Sequence, residues 1–128
     1  MKTICVSSSS KFADKWKEIA KVLDEHGIKY FLPDDVSYKE PEKEIVDNTL
    51  KATVMDEFFK FIDESDILYL LCPNGYIGIS AAVEAGYAYA KGKEIISSEL
   101  VGDIGIRPLV SDILDPLELV GKIMEKTK

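Results

Sequence analysis

Apolar and polar positions change their period several times along the chain, dividing it into alternating strand-like and helix-like segments. "TICVS" is a short apolar run that ends in a serine tract. In "KFADKWKEIAKVLDEHG", Phe12, Trp16, Ile19, Ala20, Val22 and Leu23 recur at helical spacing, and Gly27 stands where a helix would end. "IKYFLP" predicts a second strand, and the acidic, proline-bearing "DDVSYKEPEKE" a loop over its end. From about Glu42 to Glu64 the pattern is helical, with Ile45, Leu50, Val54, Phe58, Phe61 and Ile62 available for one broad face. "DILYLLCP" is apolar almost throughout, which suits a central strand covered on both faces. "CPNGYIGISAAVEAGYAYAKGK" then supplies a loop and a helix, "KEIISSE" a fourth strand, "LVSDIL" a fifth, and "DPLELVGKIMEK" a closing helix.

Strands that alternate with helices in this way predict an α/β fold: a five-stranded parallel sheet in the flavodoxin-like order 2-1-3-4-5, with helices on both faces. In open sheets of this class a ligand sits beyond the carboxyl ends of the strands, where the strand order reverses. Three loops therefore become candidates for a site: Ser7 to Lys11, Pro33 to Tyr38, and Pro73 to Ser80.

Composition narrows the function. A chain of 128 residues with 46% hydrophobic side chains fits one domain spanning residues 1–128. No apolar run approaches membrane-spanning length and "MKTICVSSSS" lacks a signal-peptide layout, so a cytoplasmic protein that does not act at a membrane is expected. The formal net charge of −7 argues against a nucleic-acid partner. Cys5 and Cys72 read as buried free thiols, although neighbouring strands could bring them close enough to pair, and no residues are spaced to complete a metal site with them. His26 beside Gly27 reads as a cation at a helix end. The absence of glutamine, with only two asparagines and abundant lysine and glutamate, fits a thermophile protein.

One acid stands out. Glu84 lies in a predicted helix otherwise built of alanines, glycine and tyrosines, just after a candidate loop. As a solvated residue near a helix start it would need no further explanation; yet the segment around it is apolar, and Ala81, Ala82, Ala85, Gly86 and Ala88 make the helix slim enough to press close to a sheet.

The stretch "GYIGISAAVEAGYAYAKGKEI" resembles the signature of the nucleoside 2-deoxyribosyltransferase family and its nucleotide N-hydrolase relatives: glutamate, any residue, glycine, any residue, alanine, then a lysine before the fourth strand. Glu84, Gly86, Ala88 and Lys93 match it. The resemblance implies that Glu84 is a nucleophile attacking the anomeric carbon of a 2-deoxyribosyl group, with the helix amino end keeping it ionised while the fold keeps it desolvated. It further implies that "SSSSKF" is the small-residue loop cradling the sugar or its 5′-phosphate, with Ser9 as the binding serine and Ser7 and Ser8 assisting. Tyr76 offers a stacking face for a base, and Gly78 and Ser80 complete the expected substrate-binding set. The substrate implied is a nucleoside or nucleotide, with no metal or organic cofactor, in a homodimer or larger homo-oligomer. The aromatic surplus Phe58, Phe59 and Phe61 on the second helix also suits a subunit contact.

Some positions depart from the family pattern. Cys5 stands where the family often has a tyrosine that orients the nucleophile, Phe58 where many members carry a general acid, and Gly78 where some carry a polar or acidic residue. Asp56 and Glu57 are close to Phe58 in sequence, but each position turns a helical side chain by about 100°. Tyr76, Asp34 and Asp35 are possible substitutes as proton donor. Two readings follow: cleavage or transfer at the N-glycosidic bond of a 2′-deoxynucleoside or its 5′-monophosphate through a covalent glycosyl-glutamate, or a non-catalytic nucleotide-binding or sensing module on the same fold.

Overall fold

The computed structural model describes residues 1–36 and 48–125. Strands β1 (Ile4–Ser7), β2 (Tyr30–Phe31), β3 (Ile67–Leu70), β4 (Glu94–Ser97) and β5 (Asp112–Ile113) form one parallel sheet in the order β2-β1-β3-β4-β5. Helices α1 (Ala13–Glu25), α2 (Asn48–Asp63), α3 (Ile79–Ala90) and α4 (Pro116–Glu125) cover it. This is the architecture and strand order that the alternating pattern predicts.

The apolar run of β3 is continuous because both its faces are buried, and its residues divide strictly by parity. Ile67, Tyr69 and Leu71 join Ile4 and Val6 of β1 in a core completed by Trp16, Ile19 and Leu23 of α1 and Leu119 and Ile123 of α4. Leu68, Leu70 and Cys72 point the other way, into a core with Cys5, Phe58 and Ile62 of α2, and Ala85 and Ala88 of α3. The two-residue period of a strand thus builds two cores from one run. In register, Ser7 at the end of β1 lies beside Leu70, and Leu70 beside Ser97 of β4. The strands therefore end level with one another, and the loops that follow them gather along one edge.

Cys5 and Cys72 are the buried free thiols expected, and three finer points of the sequence reading need correction. Cys5 and Cys72 share a core and are free; Cys5 is paired in register with Leu68, four residues short of Cys72, a separation of roughly 13 Å along a strand, which is too far for a disulfide. The aromatic surplus on α2 finds its partners within the chain: Phe59 stacks on Tyr87 at 4.2 Å, Phe61 on Phe31 at 4.6 Å, and Phe58 is core. It therefore supplies no argument for a subunit contact. In "LVSDIL" only Asp112 and Ile113 are strand, because Arg107–Leu109 closes into a tight helical turn around Pro108, whose ring fixes the backbone and removes a donor. The part of the expected second helix before Asn48 lies outside the described residues, as do Ser37 and Tyr38 of the second candidate loop. Among the described residues, no helix is long and apolar enough to cross a membrane.

Candidate functional site

Glu84 is brought to the sheet by small side chains. Ala81, Ala85 and Ala88 are buried on the inner face of α3, and helical spacing places Glu84 on the same side as Ala81 and Ala88. With only methyl groups between helix and strands, the carboxylate reaches the end of β1. There the fully buried Ser7 hydroxyl donates to Glu84 Oε1 at 2.5 Å, the short distance expected of a charge-assisted bond. Gly78 caps α3 in an extended conformation, and Gly78 O accepts from Ala82 N at 3.1 Å.

The environment works against the charge that this bond favours. Burial pushes the Glu84 pKa from 4.5 up to about 7, opposed by the Ser7 hydrogen bond and by the nearby ammonium of Lys51. The expected desolvation is present, but it outweighs the favourable contacts, so the expectation that Glu84 is kept ionised is corrected to a carboxyl that titrates near neutral pH. Burial also pushes the Cys5 thiol well up, with the charges of Glu84 and Asp35 adding to the effect. Cys5 therefore stays a neutral thiol beside the site.

Beyond Glu84 a cavity of about 130 Å³ opens between α2 and α3, lined by Lys51, Met55, Phe59, Ile79, Ser80, Val83 and Glu84. Lys51 Nζ donates to Ser80 Oγ at 3.1 Å across it. Four of the seven residues are apolar, and Lys51 is the one cation among them.

Ser7, Ser80 and Glu84 are brought together in this way. Ser9 and Gly78 form a second group: a Cβ on Gly78 would lie 3.8 Å from Ser9 Oγ. Ser9 Oγ also caps the turn that follows, accepting from Lys11 N at 3.4 Å, while Ser8 Oγ donates to Ser9 O at 3.4 Å. Tyr76 sits apart from the cavity. Its ring makes an edge contact with Phe12 at 5.9 Å and carries the Lys11 ammonium over one face at 3.9 Å, while Tyr76 as a whole stays 45% exposed. Asp35 is turned back on its own loop, where its carboxylate accepts from Leu32 N at 2.7 Å. Phe58 is 4% exposed and belongs to the core. His26 caps α1, with Nδ1 2.8 Å from Val22 O. Lys93, the last residue of the motif, donates to Asp63 O at 3.0 Å and closes the end of α2. Among the described residues no cluster of three or more His, Cys, Asp or Glu could hold a metal ion.

Sequence reasoning missed Lys51. Its signal was the four-residue spacing of Lys51, Met55 and Phe59, which puts a cation at the end of an apolar helix face.

No protein-family model matches the chain, and no curated protein matches it by sequence. Its fold is similar to that of solved proteins. A 2-deoxyribosyltransferase from the psychrotolerant bacterium Bacillus psychrosaccharolyticus is 22% identical, with 92% of this chain and 90% of that one covered, at a TM-score of 0.63. A conserved protein from Enterococcus faecalis V583 is 17% identical over 98% and 99% of the two chains, at a TM-score of 0.66. The Vibrio vulnificus NanR protein, solved in complex with ManNAc-6P, is 15% identical over 98% of this chain and 47% of that one, at a TM-score of 0.51. These are likenesses of fold, and they include a structure from the activity class that the motif around Glu84 resembles.

Proposed function

We propose that the protein cleaves or transfers at the N-glycosidic bond of a 2′-deoxynucleoside or its 5′-monophosphate, with Glu84 as the nucleophile. The observation that carries the reading is a desolvated carboxylate, gripped by Ser7 at 2.5 Å, on the wall of a largely apolar cavity at the carboxyl edge of the sheet. Oε1 is held by the serine, which leaves Oε2 to attack C1′. The C1′–O bond forms as the C1′–N bond breaks, and the electron pair of that bond leaves with the base. Water or a second base then attacks C1′ of the glycosyl-Glu84 ester and releases the carboxylate. Ser9 and the adjacent backbone at Gly78 supply a small polar surface for the sugar, and the apolar walls a surface for the base.

The second reading, a nucleotide-binding module without turnover, draws on Phe58, which fills core space where an acid would stand. One experiment separates the two. The purified protein and its Glu84→Ala variant are incubated with a panel of deoxynucleosides and their monophosphates, following free base by chromatography and the protein mass by spectrometry. Base release by the wild type alone, with a protein adduct of one deoxyribosyl group, is the expected result. Nucleotide binding without base release by either protein favours the binding module.

A further inference from the structure

An N-glycosidic bond breaks slowly unless the departing base takes up a proton or its charge is met, and the residue at the position where an acid was expected, Phe58, is core. The cavity nonetheless has a proton-bearing end. Lys51, Met55 and Phe59 follow one another at four-residue steps along α2, so one helix face presents a cation and then an apolar wall. Ile79 and Val83 of α3 complete the wall, and Ser80 Oγ holds the ammonium at 3.1 Å. On its other side, Glu84 faces Cys5 and Ser7 of β1, with Asp35 beyond the end of β2. The carboxylate therefore divides a small, polar side that suits a sugar from an apolar side, ending in Lys51, that suits a planar base.

We propose that Lys51 is the catalytic residue that receives the departing base. The inference rests on the glycosidase reading and adds to it the missing proton donor. As Glu84 Oε2 bonds to C1′ and the C1′–N pair moves onto the base, Lys51 Nζ gives a proton to a ring nitrogen or carbonyl oxygen of the base. The base leaves neutral, and the amine regains its proton from water.

The test compares substrates whose bases differ in their need for that proton. Wild type and Lys51→Met, which keeps an unbranched apolar stem against the wall, are assayed on deoxyguanosine beside 7-methyl-deoxyguanosine, and on deoxyuridine beside 5-fluoro-deoxyuridine. In each pair the second base departs with less help. The expected result, in whichever pair the wild type cleaves, is a loss of about 10²-fold in kcat/KM on the first member and a much smaller loss on the second. Equal losses on both members, or no loss on either, would overturn the role of Lys51 and leave the glycosidase reading standing. No cleavage by the wild type of any of these nucleosides or of their 5′-monophosphates, assayed in the same pairs, would overturn both.

Discussion

Glu84 burdens the fold whenever its carboxyl is ionised. Its folded pKa of about 7 lies above the ordinary 4.5, so between those values the folded chain holds a proton that the unfolded chain has lost. Folding takes up that proton, and stability falls as pH rises through this window. A displacement of this size corresponds to about 3 kcal/mol. Glu84→Gln removes the titration while keeping the shape. Urea unfolding should therefore find the variant close to wild type at pH 5 and more stable than wild type, by up to about 3 kcal/mol, at pH 8.5. A gap that fails to widen between the two would mean that the carboxyl is not desolvated. Catalysis makes the opposite demand, since only the carboxylate attacks, and kcat/KM should rise with pH through about 7. The Ser7 hydroxyl favours the ionised form. Ser7→Ala should therefore move that limb to higher pH, with a loss of about tenfold at pH 6 that shrinks by pH 8. An unshifted limb would assign Ser7 a role in packing alone.

At the scale of elements, the site depends on how the loop after β3 is folded. Gly75 has φ +79°, and a Cβ there would lie 2.6 Å from Leu100 O and 3.0 Å from Gly102 N, while Gly75 O accepts from Gly102 N at 2.8 Å. Gly92 has a similar φ of +73° but open space around it. Gly92→Ala carries only the conformational penalty, about 1 kcal/mol, whereas Gly75→Ala also drives apart the loops after β3 and β4 and should lose about 3 kcal/mol. Denaturant unfolding of the two variants measures the difference, and equal losses would show that the loops separate freely. This loop also marks the limit of what could be read from sequence. The strands and helices were legible because "DILYLLCP" and the helical segments carry their own periods. The motif around Glu84 was legible because an acid among alanines has few ordinary explanations. Lys51 was not, since which side of α2 meets α3 is decided by Phe58 and Ile62 entering the core and by Phe59 stacking on Tyr87. The titration of Glu84 was misjudged for a related reason: a helix end is visible in a sequence, but the depth of burial that opposes it is set by the distance between helix and sheet.

For the molecule as a whole, the net charge of −7 bears on whether the substrate carries a phosphate. Among the described residues near the carboxyl edge of the sheet, Asp34, Asp35, Glu84 and Glu99 stand with the cations Lys11, Lys51 and Arg107. Lys11 is engaged with the Tyr76 ring and Lys51 with Ser80. A neutral deoxynucleoside is indifferent to this field. A 5′-monophosphate, with nearly two negative charges, is repelled by it at low ionic strength, where the Debye length is about 30 Å, and much less at 0.15 M, where it is about 8 Å. The KM for the monophosphate should therefore fall several-fold as salt is raised from 0.01 to 0.15 M, while that of the nucleoside stays constant, and the nucleoside should be the better substrate at low salt. The opposite slope, a monophosphate KM that rises with salt, would mean that local cations outweigh the rest of the chain at the mouth of the site. A phosphate would then belong to the natural ligand, bound by local attraction against the field of the whole protein.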